Sequence, residues 1–244
     1  MEKTRLNKYL AESGICSRRE ADRMIAEGRV TINGKTASLG CSVTGNVQIT
    51  VDGKPVSGKK DKVVLAYYKP TGVTCTEKDP FADKTILQSL HYSERVTYAG
   101  RLDKDSEGLM IMTNDGDLIH AMMRGANRHE KEYVVKVHKE VTDEFLQKMS
   151  EGVYLKELKE RTRACQTEKI GKYTFRIILT QGLNRQIRRM CGEFGYQVMS
   201  LKRVRIMNIE LGDLRYNQYR EVTGEELQTL YEGAGLIHGN KGQI

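Results

Sequence analysis

The chain has 244 residues, 39% of them apolar, and 40 Lys and Arg against 32 Asp and Glu leave a formal charge of +8. This length accommodates one or two domains, the positive balance favours a polyanionic partner, and no apolar run nears the roughly 18 residues of a membrane span. The first residues lead into charged sequence without an apolar signal region, and the five cysteines are scattered without a C-x-x-C pair. A cytoplasmic protein with reduced thiols is therefore expected, with neither a disulfide framework nor a zinc site.

Leu6 and Leu10, closed by Ala11-Glu12-Ser13-Gly14, predict a short helix. Ser17-Arg18-Arg19-Glu20 has the spacing of a capping box, and Ala21, Met24 and Ile25 supply the buried stripe of a second helix that stops at Gly28. Val30-Thr31-Ile32 reads as a strand turning at Asn33-Gly34, and Val47, Ile49 and Val51 alternate before a second hairpin turn at Asp52-Gly53. Residues 1–60 hold eleven basic and six acidic side chains. Arg19 and Arg23 share a helix face with Arg18 beside them, and Arg5 and Lys8 precede them. Such a face suits phosphate contacts or is a solvated helix surface.

The strings Arg5-Leu6-Asn7-Lys8-Tyr9-Leu10, Ser17-Arg18-Arg19-Glu20-Ala21 and Gly28-Arg29-Val30-Thr31-Ile32-Asn33-Gly34 resemble the S-four RNA-binding domain over residues 4–52. The resemblance implies RNA binding through Arg5, Lys8, Arg18, Arg19 and Arg23. Residues 53–62 mix Gly, Pro, Ser and Lys as a linker does. The expected organisation is a front domain with its linker at 1–60, a larger domain at 61–232 and a flexible tail at 233–244.

In the larger domain Val63–Tyr68 reads as a buried strand halted by Lys69-Pro70-Thr71-Gly72. Leu109–Met112, Tyr133–Val137 and Tyr173–Thr180 are further strands, the last alternating through Tyr173, Phe175, Ile177 and Leu179. Thr142 is positioned to cap a helix carrying Phe145, Leu146 and Met149. Ile187, Met190, Cys191 and Phe194 share the face of another helix. Thr223-Gly224-Glu225-Glu226 predicts a capping box before Leu227, Leu230 and Tyr231. Irregular interleaving of strands and helices favours an α+β fold with a mixed sheet over a doubly wound parallel one.

Three stretches carry candidate chemistry. In Gly100-Arg101-Leu102-Asp103-Lys104-Asp105-Ser106-Glu107-Gly108 two glycines bracket a polar turn feeding an apolar strand. Asp103 and Asp105 there are turn formers, an acid/base pair or metal ligands; Arg101 and Lys104 disfavour the metal. Tyr133 is core or a stacking platform for a splayed base. Arg185, Arg188 and Arg189 lie on one helix face, and residues 179–205 hold six basic side chains against one acidic.

Lys69-Pro70-x-Gly72, Gly100-Arg101-Leu102-Asp103-x-x-Ser106-x-Gly108-Leu109, Lys131-x-Tyr133 and Asn184-Arg185-Gln186-Ile187-Arg188-Arg189-Met190 together resemble the ribosomal branch of the pseudouridine synthases. The resemblance spans residues 4–231 and implies a mainly antiparallel sheet with flanking helices. It implies conversion of a uridine in 23S rRNA, or in another RNA, to pseudouridine by a monomer that needs no cofactor and no metal. Asp103 would be the catalytic carboxylate, a nucleophile at the uracil ring or at the ribose or a base in a glycal route, with Arg188 its guanidinium partner and Tyr133 the residue stacking on the base. Leu201 would pack on the other side of the base, Arg101, Arg185 and Arg189 would complete the substrate site, and Lys69 would touch the substrate or shape the floor of the site. A ribosome-assembly factor that binds RNA without catalysis is the rival reading.

Overall fold

The computed structural model describes residues 3–76 and 83–236, which divide into two compact units. The front unit packs helices α1 (Leu6–Glu12) and α2 (Arg18–Ala26) against a small antiparallel sheet of β1 (Val30–Ile32), β2 (Lys35–Thr36), β3 (Ile49–Val51) and β4 (Lys54–Pro55). Its core is built from Leu6, Leu10, Ala21, Met24, Ile25, Val30, Ile49 and Val51, the stripe and alternation expected. Asn33-Gly34 and Asp52-Gly53 both turn with two positive φ angles, the conformation that matches hairpin twist.

Two local expectations change here. Ser17 accepts from the Glu20 amide at 3.2 Å, but the Glu20 carboxylate binds Arg23 on the next turn instead of reaching back. Only half of the box forms, because an arginine three residues on offers a charged donor. The stretch 53–62 starts as strand, not linker: Lys54 and Pro55 pair with Val51 and Thr50, and the Val56 amide donates to the Ile49 carbonyl.

The second unit is built on one large mixed sheet. Its principal strands are β5 (Val64–Lys69), β6 (Glu107–Thr113), β7 (Lys131–Val137), β8 (Gln166–Gly171), β9 (Thr174–Leu179), β10 (Val198–Ile206) and β11 (Tyr219–Glu221). They run in the order β8-β9-β7-β10-β6-β5-β11, with two short strands beside β6 and β10. Every pairing is antiparallel except β10 with β6, where Lys202 and Arg203 lie opposite Glu107 and Gly108. The α+β architecture with a mainly antiparallel sheet is the one expected.

Helices cover both faces of the sheet, so its central strands are buried on both sides and read as unbroken apolar runs. In β5, Leu65 and Tyr67 join one core while Val64, Ala66 and Tyr68 join the other; in β6, Met110 and Met112 oppose Leu109 and Ile111. The first core takes residues from α3 (Ile86–Leu90), α5 (Asp143–Ser150) and α6 (Gln186–Glu193). The second takes residues from α4 (Gly116–Met123) and α7 (Gly224–Gly233).

Thr142 caps α5 by accepting from the Phe145 amide at 3.2 Å, as its spacing predicts. Thr223 makes no side-chain cap on α7. Gly224 at φ +57° breaks the geometry a cap needs, and Glu226 is held by Arg220 at 2.6 and 2.7 Å. The complete capping box lies instead at Thr85 and Gln88, which open α3. Tyr173 precedes β9 and is exposed, while Phe175, Ile177 and Leu179 are buried. Of the expected tail, Gly233 closes α7 and Ala234 is buried, whereas residues 237–244 lie outside the described residues. All five cysteines are free thiols.

Candidate active site

The polar turn between Gly100 and Gly108 hangs over the point where β6 meets β10, and backbone geometry requires that placement. Gly108 has φ +111°, and a Cβ there would stand 2.3 Å from the Arg203 carbonyl oxygen and 2.6 Å from its amide nitrogen. Only a residue without a side chain lets the two strands approach so closely.

Beneath the turn lies Lys69, the last residue of β5, fully buried. Its ammonium donates to the carbonyls of Pro70 at 2.8 Å, Asp103 at 3.1 Å and Ser106 at 2.7 Å. Burial pushes its pKa down to about 8. The side chain therefore ties the turn to the sheet from below and does not line the cleft; of its two expected roles, the substrate contact gives way to the scaffolding one. Further ties are the Ser106 amide to the Asp103 carbonyl at 3.1 Å, and the Gly72 amide to the Lys104 carbonyl at 2.7 Å.

The turn forms one wall of a cleft of about 530 Å³. Arg101, Asp103, Tyr133, Arg185 and Leu201 line it, as do Met123, Arg124, Arg128, His129, Lys131 and Arg203. Tyr133 on β7 and Leu201 on β10 are 9% and 6% exposed and reach the cleft from adjacent strands. Among the described residues, Asp103 is the one carboxylate of the lining, against seven Lys and Arg side chains. No group of three or more His, Cys, Asp or Glu among the described residues is placed to hold a metal ion.

The arginines of α6 divide their work differently from the expectation. Arg188 does not pair with Asp103. Its Nη2 donates to the Asp105 carbonyl at 2.9 Å and the Ser106 hydroxyl at 3.3 Å, and its Nε lies 3.3 Å from the Asp105 carboxylate. The guanidinium near the Asp103 carboxylate belongs to Arg185, at 3.8 Å, which also binds Asp105 at 2.9 Å. Burial alone would raise the Asp105 pKa, but the Arg185 hydrogen bond and the charges of Arg188 and Arg185 outweigh it and lower it. Arg189 stays outside the cleft, bonded to Asn184 and to Glu157.

The physical reason is chain direction. Arg185, at φ +51°, precedes the helix and swings toward the mouth, whereas Arg188 lies one turn deeper, beside the root of the loop. Lys131 and Arg203 received no role from the sequence. Alternation along β10 from Leu201 points Arg203 the same way, which was the signal available.

In the front unit Arg18 and Arg19 are exposed and make no ion pair among the described residues. Arg23 binds Glu20 and Glu27, and Lys8 binds Glu12 at 3.6 Å. Arg5 is exposed at the start of α1.

Comparisons with known proteins agree with this construction. The family described as RNA pseudouridylate synthase matches residues 63–193, and the S4 domain matches residues 4–49. The dual-specificity RNA pseudouridine synthase RluF of Salmonella typhi is 46% identical, over 98% of this chain and 82% of its own. The ribosomal large subunit pseudouridine synthase B of Pseudomonas aeruginosa is 36% identical, over 95% of this chain and 63% of its own. A crystal structure of a pseudouridylate synthase superposes with a TM-score of 0.68 at 27% identity, covering 93% of this chain and 99% of that one. With an S4 domain preceding a mainly antiparallel sheet that these matches cover, the chain belongs to the RNA pseudouridylate synthase family and is an isomerase.

Proposed function

We propose that the protein converts a uridine of 23S rRNA to pseudouridine, with Asp103 as the catalytic carboxylate. The observation that carries this reading is the isolation of Asp103 as the one carboxylate, among the described residues, in a cleft lined by seven cations. A polyanionic strand is drawn to such a mouth. The target base leaves its stack to reach the carboxylate, packing between Tyr133 and Leu201. Asp103 then attacks as a nucleophile, Arg185 supplies the nearby positive charge, and Arg188 holds the turn through Asp105 and Ser106. Arg101 meets the RNA backbone at the mouth. In the S4 domain Arg5, Arg18 and Arg19 contact phosphates, and Lys8 and Arg23 flank them.

The choice of 23S rRNA is supported by the large-subunit synthase among the relatives. The dual-specificity designation of the 46%-identical relative favours a second RNA substrate as well. Action as a monomer in the cytoplasm belongs to the same proposal, a ribosomal substrate favouring that compartment. No helix among the described residues is long and apolar enough to cross a membrane.

The test is pseudouridine mapping on unmodified 23S rRNA with the native protein and with Asp103→Asn. The native protein is expected to produce a discrete site, and the variant to lose on the order of 10⁴-fold or more in rate, as removal of a nucleophile does. Salt-sensitive RNA binding without modification anywhere overturns the reading in favour of an assembly factor.

A further inference from the structure

The cleft presents two shielded cations that the proposed chemistry has not yet used. Lys131 opens β7 two residues before Tyr133, so both project from the same face, and Arg203 sits opposite Tyr133 on β10. Arg203 is 2% exposed; its guanidinium donates to the Leu109 carbonyl at 2.7 Å and contacts the Met110 sulfur. Among the described residues the Lys131 ammonium has one hydrogen bond, a long one of 3.3 Å to the His129 carbonyl. Neither meets a carboxylate among the described residues, whereas Lys104 binds Asp83 and Arg185 binds Asp105. Arg101, Arg124 and Arg128 also line the cleft but stand in solvent, which screens them.

Withdrawing a cation from water without a counter-charge costs stability, and such a group is useful where negative charge appears during a reaction. On the route in which Asp103 attacks the ribose, that charge has a definite location. The bond from uracil N1 to ribose C1′ breaks with its electron pair remaining on uracil, which becomes a monoanion, while the Asp103 oxygen bonds C1′. After rotation, the electron pair at C5 forms the new bond to C1′ as Asp103 departs. The C5 proton is lost to solvent, and N1 takes one up.

We propose that Lys131, with Arg203 behind it, is a catalytic residue that stabilises the detached uracil anion between bond breaking and bond making. This rests on the pseudouridine synthase reading and assigns a role that the carboxylate, the tyrosine and the loop arginines do not fill. Burial, and secondarily the charge of Arg203, lower the Lys131 pKa to about 8, so the ammonium is charged at neutral pH and poorly solvated. The cleft surrounds it with Asp103, His129, Tyr133, Arg203 and Arg185 and, at the exposed mouth, with Arg101, Lys104, Arg124 and Arg128 as its charged or titratable neighbours.

The experiment compares single-turnover rates and RNA affinities of native protein, Lys131→Gln, Lys131→Arg and Asp103→Asn. It uses one RNA carrying either uridine or 5-fluorouridine at the mapped site, with loss of that nucleoside followed by mass spectrometry. Lys131→Gln is expected to slow uridine conversion about 10²-fold while RNA affinity stays within about threefold. Lys131→Arg is expected to restore at least about tenfold of that loss, because the charge is retained.

Fluorine withdraws electrons and stabilises the uracil anion by itself, so the deficit of Lys131→Gln is expected to shrink on the fluorinated substrate. A weakened affinity at unchanged saturating rate would mark Lys131 as a ground-state phosphate contact and overturn the proposal. An equal deficit on both substrates would do the same, since a residue that only supports the fold is indifferent to the leaving group. Normal native activity, loss in Asp103→Asn and a fully active Lys131→Gln would sink this inference alone. A native protein that forms no pseudouridine sinks the underlying reading with it.

Discussion

Two walls of the same cleft treat positive charge in opposite ways. On the α6 side, Arg185 and Arg188 engage Asp105, and the charges are spent on holding a loop. On the sheet side, Lys131 and Arg203 meet carbonyls and a sulfur but no carboxylate among the described residues. The first arrangement is a clamp, half-exposed and modest in energy. The second is a standing electrostatic cost within the fold, of the kind that active sites retain for function. The carboxylate that does the clamping, Asp105, lies two residues from the one left open to the cleft, Asp103.

The sharpest way to break both walls at once is Gly108→Ala, which removes the close approach of β6 to β10 on which the loop and Arg203 depend. With a Cβ 2.3 Å from the Arg203 carbonyl oxygen and a φ of +111°, a loss on the order of 3–4 kcal/mol is expected. Urea denaturation of the purified variant measures it; an unchanged midpoint would mean that the strands separate at little cost.

Asp105→Asn isolates the clamp. Arg185 and Arg188 lose their shared carboxylate, and the loop keeps the Lys69 bonds and the Arg188 bonds to the Asp105 carbonyl and Ser106. About a tenfold fall in kcat/KM is expected, with stability lowered by no more than about 1 kcal/mol, since Asp105 is 48% exposed. Steady-state kinetics beside a thermal melt reads the two separately. A large stability loss with unchanged kinetics would make the pair structural.

The smallest effect sharpens the contrast from the other side. Lys131 titrates near 8 in the folded chain against an ordinary 10.5. Between those values the unfolded chain binds more protons, so this contribution to stability is unfavourable below pH 8 and rises as pH climbs toward 10.5. Lys131→Gln removes that dependence. The variant's stability relative to native is therefore expected to be greatest at pH 7.5 and to decline by pH 9.5, followed by urea midpoints at each pH. A pH-independent difference would place the folded-state titration elsewhere.

The helices, the hairpin turns and the buried central strands were legible in the sequence because their signals are local. Leu6 and Leu10, Asn33-Gly34, and the apolar run of β5 each declare a conformation through neighbouring residues. The motifs around Asp103, Tyr133 and Arg185–Met190 also announced which segments gather at the cleft. Which carboxylate each arginine engages was not legible. Arg185 and Arg188 share a helix side in the sequence, yet the left-handed φ at Arg185 sends one to the mouth and leaves the other at the loop's root. The cap at Thr223 failed for a similar reason, since Gly224 bends the backbone away.

Of the two roles open to Lys69, tertiary structure chose the buried tie over the substrate contact, because three carbonyls converge on it from segments 34 to 37 residues away and from its own neighbour. It also gave Lys131 and Arg203 their place. A cation in a strand declares only its charge and its side of the pleat; whether it finds water, a carboxylate or neither depends on what the other strands bring to face it. Turns and periodicity thus set the local architecture, and the motif resemblance pointed to the family, because both are carried by short stretches. Solvation and pairing of the charged groups, on which the chemistry rests, were decided where distant segments meet.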